Sequence, residues 1–104
     1  MDDRARVFVV DDHPLVREWL GNLIQQQPDL VLCGEAGSAA DALEAIMVSS
    51  ADVAIVDLSL KDGSGLDLIR RLKTRRPETS VIVLSMHDER LYAARALRAG
   101  ARAA

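Results

Sequence analysis

The sequence predicts an α/β protein whose parallel sheet carries helices on both faces. Two observations favour this class. Short, continuous apolar runs, mostly of β-branched residues, are typical of strands that are buried on both faces, and stretches of helical period separate them. Because strands and helices alternate, we expect right-handed crossovers between parallel strands. The chain has 104 residues, a length that fits one domain, and we expect that domain to span residues 1–104.

Strands and helices alternate from the first apolar run onward. The runs predict strands at Val7–Val10, Leu30–Cys33, Val53–Val56 and Val81–Leu84. The first helix begins near Pro14, a residue suited to a first helical turn, and it ends before Pro28. Its apolar stripe comprises Val16, Leu20, Leu23 and Ile24.

Three more helices are predicted after the second, third and fourth strands. Ser38, with Asp41 three residues later, forms a capping box that opens a helix through Met47. The spacing of the apolar residues Leu66, Ile69 and Leu72 predicts the next helix. The last is expected over Asp88–Ala99, where Gly100 supplies the stop.

Composition excludes several classes of protein. A hydrophobic fraction of 49% excludes disorder. No apolar run approaches the roughly 18 residues that span a membrane, and Met1–Arg4 lacks the features of a signal peptide. The single cysteine, Cys33, favours a reducing compartment, so we expect a cytoplasmic protein without membrane association. A net charge of −3 gives no general attraction to nucleic acid.

Side chains that can bind a ligand or react follow three of the predicted strands. Asp11 and Asp12 come after the first strand, Asp57 after the third and Ser85 after the fourth. Ligands of open α/β sheets bind at the carboxyl ends of the strands, so these side chains converge if the strands are neighbours. Three carboxylates at close range repel one another, and either protonation or a cation must offset the charge. Oxygen ligands without a histidine or cysteine cluster favour Mg²⁺.

A carboxylate beside Mg²⁺ can attack phosphorus and form an aspartyl phosphate. Asp57 is the candidate nucleophile because it stands alone at its strand end, whereas Asp11 and Asp12 would hold the metal and Ser85 would bind a phosphoryl oxygen. Taken singly, each aspartate is as well explained as a helix cap or a loop residue, and Ser85 as a cap. Their joint placement at three strand ends favours the site.

Several spaced motifs resemble the receiver domain of two-component response regulators, over essentially the whole chain. They comprise Asp11-Asp12-His13-Pro14-Leu15-Val16-Arg17, Val53-Ala54-Ile55-Val56-Asp57-Leu58, Asp62-Gly63-Ser64-Gly65-Leu66, Val83-Leu84-Ser85 and Arg98-Ala99-Gly100-Ala101. The first motif is similar to the NarL/FixJ subgroup, whose members usually carry a LuxR-type DNA-binding output domain. The resemblance implies a flavodoxin-like, doubly wound sheet of order 2-1-3-4-5.

The resemblance also implies a role for each site residue. Asp57 is the expected phosphoacceptor, taking its phosphoryl group from a sensor histidine kinase. Asp12 is expected to bind Mg²⁺ directly and Asp11 through water, with Asp57 and the backbone carbonyl of Ser59 as further ligands. Ser85 is the expected hydroxyl that contacts the phosphoryl group. Such a protein is a switch rather than a metabolic enzyme, and transcription is its expected output.

The end of the chain departs from the family pattern. The family's aromatic switch position falls at Ala104, and the family's lysine falls beyond it. We therefore expect a truncated fifth strand, no fifth helix, and DNA contact only through an output domain outside this chain. An uncovered fourth strand is prone to pair with another chain, so a homodimer or a strand exchange is expected.

Two rival functions remain open on the sequence alone. The chain would be an interaction or oligomerisation domain if its acidic site were not phosphorylated. An Mg²⁺-dependent phosphatase is the weaker rival, because the Asp-x-Asp motif of such enzymes is missing after the first strand. Among the other residues, Trp19 is expected to pack in the interior, and His13 and His87 show no spacing for a metal.

Overall fold

The computed structural model describes residues 3–58, 60 and 65–84 with their side chains, and residues 102–103 as backbone. Its strands are β1 (Ala5–Val10), β2 (Leu30–Ala36), β3 (Val53–Asp57), β4 (Ser80–Leu84) and β5 (Arg102–Ala103). Its helices are α1 (Pro14–Gln25), α2 (Ala39–Ser49) and α3 (Gly65–Arg75). The helix expected over Asp88–Ala99 lies outside the described residues, as do Ser59, Ser85 and Ala104.

All pairs of neighbouring strands run parallel, in the order β2-β1-β3-β4-β5. The predicted α/β class and the four predicted strands are therefore confirmed. The fifth strand consists of two residues, Arg102 and Ala103, which pair with Ile82 and Val83 of β4. This arrangement places β1, β3 and β4 side by side, so their carboxyl ends lie along one edge.

Strand β2 extends further than its apolar run predicts, because the β1–β2 register shifts between Val7 and Phe8. Val7 pairs with Leu32 but Phe8 pairs with Gly34, so Cys33 is the extra residue of a bulge. A Cβ at Gly34 would lie 2.7 Å from Cε2 of Phe8. The absence of a side chain at Gly34 thus makes room for the buried Phe8 ring.

The core consists of one apolar layer on each face of the sheet, because successive strand residues point to opposite faces. Phe8 and Val10 of β1 belong to the larger layer, under α2 and α3. Val7 and Val9 belong to the smaller layer, under α1. The predicted apolar residues of α3 are confirmed in this core, since Leu66, Ile69 and Leu72 are all buried.

Helix α1 begins with Pro14, as predicted. It buries Leu20 and Ile24, but Leu23 is 39% exposed and Trp19 is 59% exposed. The predicted interior packing of Trp19 is therefore wrong. Successive residues of a helix are about 100° apart, so Trp19 turns away from the sheet when its neighbour Leu20 packs against it.

Helix α2 confirms its predicted cap, because the backbone N–H of Asp41 donates to Oγ of Ser38 at 3.2 Å. At the other end, Ser50 adopts a left-handed conformation with φ of 53° and stops the helix. Within the part of the chain that the structure describes, no helix has the length and apolar character needed to cross a membrane.

Candidate phosphoacceptor and metal site

The acidic residues meet because β1 and β3 are neighbours in register. Val10 of β1 pairs with Val56 of β3, so the residues that follow, Asp11 and Asp57, lie at the same level of the same sheet edge. Both aspartates are fully buried, with 0% of their surface exposed. The pairing of β1 with β3 and the lengths of these strands therefore bury the carboxyl groups of Asp11 and Asp57.

The side chains at this edge form one compact cluster. One ligand atom from each of Asp11, Asp12, His13 and Asp57 can be chosen so that all lie within 4.8 Å of one another. The three carboxylates that the sequence singles out are thus brought together by the fold. Ser59 and Ser85, the other two predicted site residues, lie outside the described residues.

His13 is a member of this cluster that sequence reasoning missed. Its Nδ1 atom lies 3.0 Å from Oδ1 of Asp11, 2.9 Å from Oδ1 of Asp12 and 3.9 Å from Oδ2 of Asp57. The spacing of His13 in the sequence did not predict these contacts. A usable signal was its position directly after Asp12 in the loop that leaves β1, because a loop can bring adjacent residues to one point without any periodic spacing.

The loop after β1 is held by hydrogen bonds to Asp11. The backbone N–H of His13 donates to Oδ1 of Asp11 at 2.8 Å. The guanidinium of Arg17 donates from Nη1 to the carbonyl oxygen of Asp11 at 2.6 Å and pairs through Nε with Glu35 at 3.3 Å. Sequence reasoning also missed Arg17, whose signal was its place in the first turns of the helix behind the acidic pair.

The absence of a side chain at Gly37 gives Arg17 its room. A Cβ at Gly37 would lie 3.1 Å from Nη1 of Arg17, which is tighter than ordinary contact. Because this nitrogen is the atom that reaches the carbonyl of Asp11, the loop after β2 contributes to the position of the loop after β1. The loops after β1 and β2 thus help to position the site, in addition to β3.

The residues present fit a divalent cation. Oδ2 of Asp11 is buried, and no residue of the described part donates a hydrogen bond to it. A buried carboxylate oxygen that lacks a donor is costly unless another group satisfies it. The guanidinium of Arg17 binds the main chain of Asp11 instead. A hard cation with oxygen ligands would satisfy this oxygen and offset the clustered negative charge.

Comparison with known proteins identifies a family. The family model described as the response regulator receiver domain matches residues 7–104. The DNA-binding transcriptional activator DevR/DosR of Mycobacterium tuberculosis is 38% identical over 97 residues, which cover 93% of this chain and 45% of that protein. The transcriptional regulatory protein UhpA of Salmonella typhimurium is 38% identical over 96 residues, which cover 92% of this chain and 47% of that protein.

Solved structures agree with the sequence comparison. The signal receiver domain of the response regulator NarL from Mycobacterium tuberculosis superposes with a TM-score of 0.90 at 33% identity, covering 97% of this chain and 82% of that one. A LuxR-family two-component response regulator from Aurantimonas gives a TM-score of 0.89 at 30% identity, covering 96% and 71%. The chain spans about half the length of the curated relatives it matches.

Proposed function

We propose that this chain, which belongs to the response regulator receiver family, accepts a phosphoryl group on the carboxylate of Asp57 and acts as a phosphorylation-controlled switch. The observation that carries the proposal is the meeting of the buried Asp11 and Asp57 with the half-buried Asp12 in one cluster at the carboxyl edge of the sheet. Members of this family are phosphoacceptors rather than metabolic enzymes. Two-component signalling is the setting in which such a domain works.

The proposed transfer is a single displacement at phosphorus. A carboxylate oxygen of Asp57 attacks the phosphorus of a phosphohistidine on a sensor kinase, so an O–P bond forms and the N–P bond breaks. The released imidazole keeps the electron pair of the broken bond and takes up a proton from water. Because Asp57 is fully buried, the side chains that cover it must move before the phosphohistidine reaches it.

The residues around Asp57 are proposed to hold Mg²⁺. Asp12 would bind it directly, Asp11 through water, and Asp57 and the backbone carbonyl of Ser59 would complete the protein ligands. When bound, Mg²⁺ lowers the repulsion between the carboxylates and the incoming phosphoryl oxygens. Arg17 and the backbone N–H of His13 keep the Asp11 loop in place. The hydroxyl of Ser85 is proposed to contact the phosphoryl group.

The switch would act through the end of β4. Asp57 pairs with Leu84 in the sheet, and the backbone N–H of Leu58 donates to the carbonyl of Leu84 at 3.3 Å. A phosphoryl group on Asp57 would add negative charge and acceptor oxygens beside the end of β4. A shift of Ser85 toward those oxygens would bias the chain that follows β4 between two arrangements.

The output of the whole protein is proposed to be transcription. The curated relatives are transcriptional regulators roughly twice as long as this chain. We therefore propose that residues 1–104 are the receiver part of a cytoplasmic regulator, and that DNA is contacted by another domain. Among the described residues, β5 pairs with two residues of β4, Ile82 and Val83, so a homodimer or a strand exchange along the rest of β4 is also proposed.

Acetyl phosphate tests the phosphoacceptor directly. The chain is incubated with acetyl phosphate and Mg²⁺ and then analysed by intact-mass spectrometry, which should detect one phosphate adduct. Asp57→Asn should abolish the adduct. Asp67→Asn is the matched control and should retain it, because Asp67 is 59% exposed on α3, where it pairs with the surface side chain of Arg71.

The result that would overturn the proposal is an unmodified wild type that is folded and binds Mg²⁺. That outcome would favour the rival of a receiver-like interaction or oligomerisation domain. The Asp57→Asn variant should remain folded, because it removes a buried negative charge from a crowded cluster. Loss of the adduct in this variant with an unchanged circular dichroism spectrum therefore assigns the acceptor rather than a folding defect.

A further inference from the structure

We propose that His13 is a nitrogen ligand of the cation held by Asp11, Asp12 and Asp57, and that it favours transition-metal ions such as Mn²⁺ and Co²⁺. The inference rests on the metal site of the proposed function and goes beyond the all-oxygen ligand set. It starts from the imidazole Nδ1 of His13, which faces the three carboxylates while the side chain as a whole is 52% exposed.

The separations of the donor atoms are compatible with a single ion. In an octahedral shell with bonds of about 2.1 Å, adjacent donors lie about 3.0 Å apart and opposite donors about 4.2 Å apart. Of the two carboxylates proposed as direct ligands, that of Asp12 has Oδ1 2.9 Å from Nδ1 of His13, and that of Asp57 has Oδ2 3.9 Å from it. The first separation is that of adjacent donors, and the second lies between the adjacent and the opposite distance, so one cation in a distorted shell can share these donors.

Hydrogen bonding alone explains this arrangement less well. A single imidazole N–H points best at one acceptor, yet Nδ1 of His13 is almost equally distant from two carboxylate oxygens. The 3.0 Å contact with Oδ1 of Asp11 has the geometry of a hydrogen bond, and that oxygen also accepts the backbone N–H of His13 at 2.8 Å. A ring hydrogen bond thus accounts for one of the two carboxylates and leaves the contact with Asp12. In the tautomer that carries its proton on Nε2, the Nδ1 lone pair is available to a metal.

The backbone fixes His13 in a position to act as a ligand. His13 is the N-cap of α1, with extended backbone angles (φ −99°, ψ 109°) and no cap hydrogen bond from its side chain. Pro14 follows at the first helical position, so the helix start sets the direction in which the ring leaves the main chain. The side chain makes no cap hydrogen bond to the helix end, and its ring faces the carboxylates instead.

The identity of the donor atoms predicts the preference among metals. Carboxylate oxygens suit Mg²⁺, Ca²⁺ and Mn²⁺, whereas imidazole suits the later transition metals, and affinity rises from Mn²⁺ through Co²⁺. Mg²⁺ gains little from a nitrogen donor because it is a hard ion that retains its water. Removal of the His13 imidazole should therefore lower the affinity for Co²⁺ much more than that for Mg²⁺.

The test compares His13→Ala with wild type and with His87→Ala, which removes the other of the two histidines. Each protein is titrated separately with CoCl₂, MnCl₂ and MgCl₂ by isothermal calorimetry, and Mn²⁺ is examined by pulsed electron paramagnetic resonance. We expect His13→Ala to lose about tenfold or more in Co²⁺ affinity, the scale on which perturbing a metal's ligand environment acts, and to change little toward Mg²⁺. The ¹⁴N coupling to Mn²⁺ should be present in wild type and His87→Ala and absent in His13→Ala.

Three results would overturn the inference. They are wild type without ¹⁴N coupling, an equal loss of Co²⁺ and Mg²⁺ affinity in His13→Ala, and a gain of Mg²⁺ affinity in that variant, which would mean that the imidazole blocks the site. The acetyl phosphate assay separates this inference from the proposed function. If ¹⁴N coupling is seen but no phosphate adduct forms, the His13 ligand is supported and the phosphoacceptor proposal is refuted. If the adduct forms but no coupling is seen, only the His13 ligand is refuted.

Discussion

Gly65 begins α3 directly behind the acidic site, and its replacement by alanine tests how closely that helix must approach β3. A Cβ at this position would lie 2.6 Å from the carbonyl oxygen of Asp57 and 3.1 Å from Cα of Leu58. Both are backbone atoms of the segment that carries the proposed phosphoacceptor, so neither can rotate away. Glycine is required at position 65 for space rather than for a special backbone conformation, because Gly65 has the conformation of a helical residue in α3.

The expected loss of stability follows from two opposing effects. Overpacking that forces a backbone shift costs about 1–3 kcal/mol, whereas alanine gains up to about 1 kcal/mol over glycine in a helix interior and less at a helix end. We expect Gly65→Ala to lower the free energy of unfolding by about 1–2 kcal/mol, which lowers Tm by roughly 4–8 °C per kcal/mol in a domain of this size. The displaced backbone should also slow the formation of the Asp57 adduct.

Gly21→Ala is the matched control, because Gly21 is also a buried helical glycine. Its added Cβ would meet only Cδ2 of Leu32, the tip of a flexible side chain, at 3.2 Å. Its free energy of unfolding should be unchanged or raised by up to about 1 kcal/mol. Urea unfolding of both variants, with the rate of acetyl phosphate labelling, provides the comparison. Equal stability and equal labelling in the two variants would refute the close approach of α3 to β3.

Two further substitutions test the support of the site and of the sheet. Arg17→Met removes the donor to the Asp11 carbonyl, so the Mg²⁺ concentration that gives half-maximal labelling should rise several-fold. Arg71→Met removes an exposed guanidinium that pairs with Asp67 and should leave that concentration unchanged; equal values in the two variants would argue against the role of Arg17. Thr79→Val removes a buried hydroxyl that donates to the carbonyl of Ala51 at 2.9 Å, so the free energy of unfolding should fall by about 1–3 kcal/mol, and a urea midpoint equal to that of wild type would contradict this.

The strands could be predicted from sequence because burial on both faces leaves a local signature. Val9 and Val10 are 0% exposed on opposite faces of β1, and this demands apolar side chains at consecutive positions. Strand β2 is at the edge of the sheet, most of its residues are only half-buried, and its last three residues include Gly34 and Glu35. Its true length depends on a bulge opposite Phe8, which is a tertiary feature with no local pattern.

Exposure of α1 was harder to predict than its position. The helical period correctly identifies Leu20 and Ile24 as buried, but Leu15 is 80% exposed and Trp19 is 59% exposed. These two residues and Leu23 are spaced by four along the helix, so they form a second apolar stripe beside the buried one. Periodicity alone cannot tell which of the two apolar stripes is buried and which is exposed, because either one could pack against the sheet.

The acidic cluster was predictable because topology alone brings the ends of neighbouring parallel strands together. His13 and Arg17 were missed because their contribution depends on where a loop and a helix turn point individual atoms. Nδ1 of His13 reaches the carboxylates only through the extended backbone of the N-cap residue. Nη1 of Arg17 reaches the Asp11 carbonyl only because Gly37 leaves space for it.

The hydrogen bonds around Asp11 hold the loop after β1 and still leave a carboxylate oxygen for the proposed cation. Arg17 carries a permanent positive charge, but it donates to the main chain of Asp11 and pairs with Glu35. A guanidinium bound to the carboxylate itself would compensate the buried charge permanently and compete with any metal. With the guanidinium engaged elsewhere, Oδ2 of Asp11 keeps its capacity to bind a cation. The proposed gain and loss of a phosphoryl group at Asp57 would suit this arrangement, because each step would change the negative charge that the proposed ion has to offset.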